Sequence, residues 1–214
     1  MTDVHCHVSG GDGTVREFLI GREFVGVHPW EAARWNAATR DDLRARLEAD
    51  VALGVGEIGL DRLHDRAISA EMRTAFEEQL ALAAEARRPV VLHGAKCWGQ
   101  VMAACVRFAP RIPAFLFHGF SRSDGLLPEF EKVNGFVSVG PAVLNEHAVN
   151  YQALVRKIAR DRLLVETDRT AESAATCPSI RAIAEKVAAL RGEEPTVLER
   201  VLDANAQRFR EGVK

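Results

Sequence analysis

The sequence has no long hydrophobic run: none of its apolar stretches approaches the roughly 20 residues that a membrane-spanning helix needs. Residues 1–5 lack the basic start and the apolar stretch of a signal peptide. The four cysteines show neither CxxC spacing nor the density of a small disulfide-stabilised scaffold. These absences predict a cytoplasmic protein with reduced thiols and no association with membranes.

Neither sign of charge is in excess, because 28 Lys and Arg residues face 30 Asp and Glu residues, for a formal net charge of −2. This balance excludes a protein that holds nucleic acid through a bulk positive field, but it leaves room for a local basic patch. Low-complexity tracts, short repeats and linkers are also missing, which predicts a single domain over residues 1–214. No GxGxxG motif follows the first apolar run, so a dinucleotide-binding fold has no support.

Short apolar runs alternate with longer amphipathic segments along the chain. The predicted strands are residues 3–8, 24–28, 51–60, 89–93, 114–118, 135–139 and 163–168, all too short or too uniformly apolar for surface helices. Amphipathic spacing and capping patterns predict helices that begin near Thr39, Ser69, Trp98, Glu146, Pro178 and Thr196. The alternation indicates an α/β fold with a parallel sheet, either open and doubly wound or closed into a barrel.

Histidines and carboxylates stand at the ends of the predicted strands. His5 and His7 are two residues apart, so they point to the same face, and Glu57 lies within an apolar run where it is costly to bury without a cation or hydrogen-bond partners. In parallel α/β folds the carboxyl ends of the strands gather ligands and catalytic groups. Imidazole and carboxylate side chains gathered there predict a divalent-metal site with mixed nitrogen and oxygen ligands.

Six motifs in order along nearly the whole chain resemble the TatD family of metal-dependent hydrolases. They are Asp3-Val-His5-Cys-His7, Gly26-Val-His28-Pro29-Trp30, Gly56-Glu57-Ile-Gly-Leu-Asp61, Pro89-Val-Val-Leu-His93-Gly94, His118-Gly119-Phe120-Ser121 and Glu166-Thr167-Asp168. The resemblance implies a TIM-type barrel, one or two divalent ions (Zn, Mg or Mn), and hydrolase activity, most often that of a deoxyribonuclease. It also implies a nucleic acid or another phosphodiester as substrate and requires no obligate protein partner.

The resemblance also implies roles for individual residues. Six side chains would hold the metals: His5, His7, Glu57, His93, His118 and Asp168. Within this set, Glu57 would bridge the two ions as a catalytic residue, and Asp168 would also orient or deprotonate the attacking water.

The loops around the site depart from the family pattern. Arg169-Thr170-Ala171 follows Asp168 where the family usually has Ala-Pro-Tyr, and Gly94-Ala95-Lys96 follows His93 where it has Ser-Arg-Asp. We therefore predict substrate contacts from His28, Lys96 and Arg169. Arg62 and Arg122 are further phosphate-binding candidates, and Trp30 and Phe120 are candidates either for base stacking or for packing.

These patterns predict a phosphodiesterase or deoxyribonuclease of the 3′-end exonuclease type that uses metal-activated water. The alternatives are a metal-dependent ester or amide hydrolase, such as a D-aminoacyl-tRNA deacylase, and a metal-holding interaction scaffold without activity. A TatD barrel ordinarily places a helix, a strand and a second helix between its first two motifs, whereas residues 8–23 offer room for a loop and a short helix at 14–20. The sequence therefore predicts a barrel reduced to seven strands.

Overall fold

Strands and helices alternate in the computed structural model, which describes residues 1–64, 66–121 and 124–212. The strands are β1 (Thr2–Cys6), β2 (Arg16–Leu19), β3 (Phe24–Val25), β4 (Gly54–Asp61), β5 (Val90–Ala95), β6 (Phe115–Phe117), β7 (Gly135–Val139) and β8 (Leu163–Val165). The α-helices are α1 (Ala37–Ala49), α2 (Ala70–Ala86), α3 (Trp98–Phe108), α4 (Val149–Lys157), α5 (Ile180–Arg191) and α6 (Pro195–Glu211). No helix in these ranges is long and apolar enough to cross a membrane.

The strands are parallel and lie side by side in chain order. β1 pairs with β2, and β3 to β8 form a six-stranded sheet in sequential order. A bridge between Ile20 and Phe24 joins β2 to β3, and the backbone N–H of Asp168 donates to the carbonyl of His5 over 3.0 Å, which joins the end of β8 to β1. Sequential parallel strands with helical connections are the arrangement of a TIM-type barrel.

Two apolar layers hold this arrangement together. The larger layer lies between the strands and the helices that cover them. The smaller one takes one side chain from each strand except β4, together with Ala206 and Phe209 of α6. Gly54 of β4 leaves room in this layer, because a Cβ there would collide with the ring of Phe24. The smaller layer is therefore the packed interior of the barrel, closed at one end by the last helix.

The predicted reduction to seven strands is wrong. Residues 16–19, which were expected within a short helix, form β2 and pair with β1 in register Thr2 to Arg16. Phe18 buries its side chain against Phe24 and Phe209, with ring centroids 6.0 and 6.5 Å away. Strand hydrogen bonds to β1 and this burial outweigh the weak local preference of a four-residue segment. The chain therefore keeps the second strand of the barrel and connects it to β1 and β3 through short segments without an α-helix.

Several helix starts differ from expectation. The helices predicted near Glu146 and Pro178 begin at Val149 and Ile180, and two caps differ from the predicted capping boxes. Ser69 caps α2 by accepting from the N–H of Met72 over 3.0 Å, as predicted. The cap of α1 is Asn36, which reciprocates with Thr39, so Thr39 occupies the third helical position instead of the cap. The cap of α6 is Glu194, two residues before Thr196. In both cases the residue that caps lies earlier in the chain than the predicted pair.

Candidate active site

The six residues predicted as metal ligands lie together at the carboxyl ends of the strands. Each lies in or directly after a different strand, apart from the pair at β1: His5 (in β1), His7 (after β1), Glu57 (in β4), His93 (in β5), His118 (after β6) and Asp168 (after β8). Glu57 lies at the centre of the group, with its side chain buried. Gly59, two residues further on, lets β4 lie against β5, because a Cβ there would collide with the carbonyl of His93.

One oxygen of Glu57 faces the side of the site formed by β1 and β8. Glu57 Oε2 lies 3.4 Å from His5 Nε2 and 3.7 Å from His7 Nε2. Asp168 Oδ1 lies 3.5 Å from each of the same two nitrogens. Two imidazole nitrogens and two carboxylate oxygens therefore surround one small volume.

The other oxygen of Glu57 faces the opposite side. Glu57 Oε1 lies 2.7 Å from His93 Nδ1, 2.8 Å from His118 Nε2 and 3.5 Å from His28 Nε2. His28 follows β3, so the structure brings it into the cluster, although the sequence predicts it only as a substrate contact. The two oxygens of a single carboxylate are thus divided between two sets of histidines.

The carboxylates of the cluster shift the pKa values of their neighbours towards the positively charged forms. Burial and His118 act to lower the pKa of His5, but Glu57 and Asp168 outweigh them and raise it to about 9. Burial also opposes the charged form of His118, yet Glu57 and Glu166 hold its pKa well above the usual range. Burial raises the pKa of Glu57, but His118 and His5 outweigh this effect and hold that pKa well below its ordinary value. The carboxylates therefore stabilise cations inside the site.

His5 provides a direct test of whether the residues fit a metal. Its ring is fully buried, and neither ring nitrogen has a hydrogen-bond partner in the part of the chain that the structure describes. A buried imidazole without partners is costly. Carboxylate oxygens lie 3.4 and 3.5 Å from its Nε2, too far or too poorly aligned for a bond but suitably arranged around a small cation. The donor set fits a divalent ion with nitrogen and oxygen ligands.

Asp61 supports the site from behind His93, a role that the sequence analysis did not assign. Asp61 Oδ2 accepts from Trp30 Nε1 over 2.7 Å and lies 2.9 Å from His93 Nε2. Its other oxygen accepts from the backbone N–H groups of Leu63 and His64. Burial raises the pKa of Asp61, but these hydrogen bonds, that of Trp30 foremost, lower it to about 2. The ionised carboxylate fixes the orientation of the imidazole.

Glu166 supports His118 in the same way and was also missed. Its Oε1 lies 3.3 Å from His118 Nδ1 and accepts from the N–H of Gly119 over 2.7 Å, while Oε2 accepts from Ser138 over 2.5 Å. The side chain is buried. A charged residue inside an apolar strand end was the available signal, since such a group requires several partners. A carboxylate behind a histidine sets its tautomer and ring orientation.

The predicted substrate contacts have different surroundings. Lys96 is exposed directly after β5, whereas the guanidinium of Arg169 lies 3.4 Å from Glu17 and against Gly10. Arg62 is exposed after β4, and Arg122 lies outside the described residues. Phe120 is completely buried between Trp98 and Phe130, so packing is its role and base stacking is excluded.

An open cleft of about 1020 Å³ adjoins the cluster on the β7–β8 side. Asp168 and Glu166 line it together with Gly140, Tyr151 and Lys157. Asp168 is the most exposed carboxylate of the cluster, with 45% of its side chain accessible. A molecule in the cleft therefore meets Asp168 first.

Curated proteins of known name are similar in sequence to most of this chain. The chain is 32% identical over 200 residues to the 3′-5′ ssDNA/RNA exonuclease TatD of Pectobacterium carotovorum, covering 86% of this chain and 75% of that protein. It is 33% identical over 197 residues to the enzyme of the same name from Cronobacter sakazakii, with 86% and 75% covered. The chain thus spans about three quarters of the length of these curated relatives.

Solved structures resemble the fold as a whole. A TatD homologue from Escherichia coli K12 superposes with a TM-score of 0.80 at 21% identity, covering 97% of this chain and 96% of the other. A TatD-family hydrolase from Entamoeba histolytica gives a TM-score of 0.72 at 13% identity, with 91% and 75% covered. The sequence profile of the TatD-related DNases matches residues 19–210. The chain therefore belongs to the TatD-related DNase family of metal-dependent hydrolases.

Proposed function

We propose that this chain is a phosphodiesterase that uses two divalent ions to remove nucleotides from the 3′ ends of single-stranded DNA or RNA. The relatives named as 3′-5′ exonucleases support the substrate and polarity. The observation that carries the proposal is the division of the Glu57 oxygens between two histidine sets. Divalent ions held by these residues would polarise a phosphoryl group and lower the pKa of an attacking water.

The hydrogen bonds behind two of the histidines support their assignment as ligands. With an ion beside Glu57 Oε1, Asp61 and Glu166, which only accept hydrogen bonds, would hold the proton of His93 on Nε2 and that of His118 on Nδ1. The lone pairs of His93 Nδ1 and His118 Nε2, the ring nitrogens nearest to Oε1, would then be free to bind the ion. We assign His93 and His118 to the ion beside Oε1, and His5, His7 and Asp168 to the ion beside Oε2.

The ring of His28 turns a nitrogen that carries hydrogen, and not a lone pair, towards Glu57. This supports its predicted role as a substrate contact. Its Nδ1 accepts from the backbone N–H of Trp30 over 3.2 Å. A neutral imidazole with an accepting Nδ1 carries its hydrogen on Nε2. That N–H points towards Glu57 Oε1 at 3.5 Å, from the partly open side of the cluster. We assign it to donate a hydrogen bond to a phosphate oxygen rather than to bind an ion.

Asp168 is positioned to handle the attacking water. Its carboxylate lines the cleft and is more exposed there than that of Glu166, and its backbone N–H donates to the His5 carbonyl. Burial raises the pKa of Asp168, but the imidazoles of His5 and His7, each with Nε2 3.5 Å from Oδ1, outweigh this effect and hold that pKa far below its usual range. Asp168 is therefore ionised at neutral pH, so it orients a water by accepting one of its hydrogens and takes the proton only as the water attacks.

Lys96 supports the proposal as an exposed cation beside the site. It follows β5, the strand that carries His93, and suits electrostatic attraction of a phosphate. Arg169 binds Glu17, and its carbonyl accepts from the N–H groups of His7 and Val8 over 2.8 and 3.2 Å. We therefore assign Arg169 mainly to holding the segment after β1 in place.

Product sizing on labelled oligonucleotides tests the proposal. Protein treated with chelator and then supplied with Mg²⁺, Mn²⁺ or Zn²⁺ is expected to shorten a 5′-labelled single strand stepwise, while a 3′-labelled strand releases its label at once. Glu57→Gln should be inactive, which would rule out a contaminating nuclease. Glu48→Gln, on the exposed face of α1, should match the parent and controls for the substitution itself. Activity that persists in chelator, or hydrolysis of aminoacyl-tRNA without cleavage of either strand, would overturn it.

A further inference from the structure

Trp30 is an exposed aromatic side chain at the rim of the site that packing does not explain. It is 57% exposed, and Leu63, whose backbone N–H donates to the same Asp61 carboxylate as the indole, is 56% exposed. A large apolar side chain loses favourable burial when it is left in water, so an exposed cluster of this kind marks a binding surface. Phe120, the other aromatic candidate of the rim, is fully buried, which leaves Trp30 as the open one of this pair.

The indole is held in place although it is exposed. Its Nε1 donates to Asp61 Oδ2 over 2.7 Å, and its backbone N–H is capped by His28 Nδ1 over 3.2 Å. Pro29 precedes it and fixes the start of the short helical turn Pro29–Arg34. A side chain that is already ordered loses little conformational entropy when a partner stacks on it. These anchors favour a role in recognition over a role in stability.

Trp30 lies close to the place where the reacting end of a substrate would bind. Its ring centroid lies 4.8 Å from that of His28 and 6.2 Å from that of His93, both with steep interplanar angles. The ring of His64 stacks on one face of the indole at 4.9 Å with planes 19° apart, so a nucleobase would stack on the opposite face or take the place of His64. A phosphate bound between the two halves of the site therefore has an aromatic surface beside it.

We propose that Trp30 is a stacking platform for a nucleobase next to the scissile phosphodiester, which makes the enzyme select strands whose terminal nucleotides carry bases. This inference rests on the proposed function and adds a recognition element to it. Every base offers a π face, so such a platform favours nucleic acid over simpler phosphodiesters without reading sequence. Trp30 and His93 both contact Asp61 Oδ2, so the position of the indole also affects the orientation of the His93 ring.

An abasic substrate separates stacking from any structural effect of Trp30. We compare kcat/KM for a single-stranded oligonucleotide with that for the same strand lacking its two 3′-terminal bases. The parent should prefer the complete strand by about tenfold, which corresponds to ~1.4 kcal/mol and lies within the range of base–aromatic stacking. Trp30→Ala should bring the ratio close to one by raising KM on the complete strand alone.

Two further variants complete the test. Trp30→Phe keeps an aromatic face but loses the bond to Asp61, so it should retain part of the preference. Val51→Ala removes a side chain that is 78% exposed before β4, at the other end of the strands, and should keep the parent ratio. An unchanged ratio in Trp30→Ala, or equal loss on both strands, overturns the platform.

A binding measurement keeps the inference separable from the proposed function. Anisotropy of the two oligonucleotides, each labelled with fluorescein at its 5′ end, reports affinity without turnover. If the parent cleaves neither strand, the proposed function fails, yet the platform still requires tighter binding of the complete strand and loss of that difference in Trp30→Ala. Equal affinity of the parent for both strands overturns the platform whether or not cleavage occurs.

Discussion

Replacing Asp61 by Asn tests how the support behind His93 controls the site. The carboxylate accepts four hydrogen bonds, from the N–H groups of Leu63 and His64 on one oxygen and from Trp30 and His93 on the other. An asparagine carbonyl has lone pairs for two donors, and its NH₂ group offers only hydrogens. Whichever way the amide turns, two donors lose their acceptor.

The magnitude follows from the number of bonds lost and from where they lie. A hydrogen bond to a charged group contributes about 1.5–3 kcal/mol. The exposed backbone around Leu63 and His64 turns to water more easily than the groups around His93, so we expect the loss in unfolding free energy to be about 2–4 kcal/mol. Loss of the carboxylate behind a ligating histidine costs about 10–100-fold in metal affinity.

Two assays on the same protein check this expectation. Urea denaturation of the metal-free protein gives the change in unfolding free energy, and a competition titration with a metallochromic chelator gives the affinity for Mn²⁺ or Zn²⁺. Asp41→Asn, at an exposed position of α1, is the matched control and should change neither quantity. A variant at Asp61 with parental denaturation and metal affinity within threefold of the parent would refute the role of Asp61.

Three other predictions concern single residues. Asp168→Asn should lower kcat by roughly 10²–10⁴, the share of a general base, with metal content retained in the same samples; near-normal turnover with full metal would show that Asp168 is not the base. Lys96→Ala should raise KM for an oligonucleotide severalfold with a smaller effect on kcat, whereas Lys132→Ala, placed before β7, should behave as the parent. Burial raises the pKa of the Cys97 thiol to about 11, so iodoacetamide at pH 7 should leave Cys97 unlabelled in the folded enzyme and alkylate it in urea, and labelling of the native protein would contradict its burial.

The metal-ligand cluster could be predicted from the sequence because each of the six candidate ligands lies in or directly after an apolar run. In a parallel fold the position of a residue at a strand's carboxyl end already determines its place in the molecule. The structure brings all six side chains to one point, with Glu57 in the centre. The alternation of strands and helices predicted a parallel α/β fold, and the family resemblance specified the TIM-type barrel that the structural relatives confirm.

The interactions behind the ligands could not be predicted in the same way. Asp61 and Glu166 stand in motifs that the sequence analysis quoted, but their partners lie far along the chain and depend on the register between neighbouring strands. β2 was missed because its four residues have no clear period of their own and are stabilised by β1 and by the burial of Phe18. Phe120 shows the same limit, since only the packing of Trp98 and Phe130 determines that it is buried.

The central claim is that the two oxygens of Glu57 serve two different ions. Anomalous diffraction from crystals soaked in Mn²⁺ measures this directly. Two peaks are predicted, about 3.5–4 Å apart, one beside Oε2 with His5, His7 and Asp168, and the other beside Oε1 with His93 and His118. A single peak that contacts both oxygens of Glu57, or two peaks that leave Glu57 uncontacted, would contradict the account.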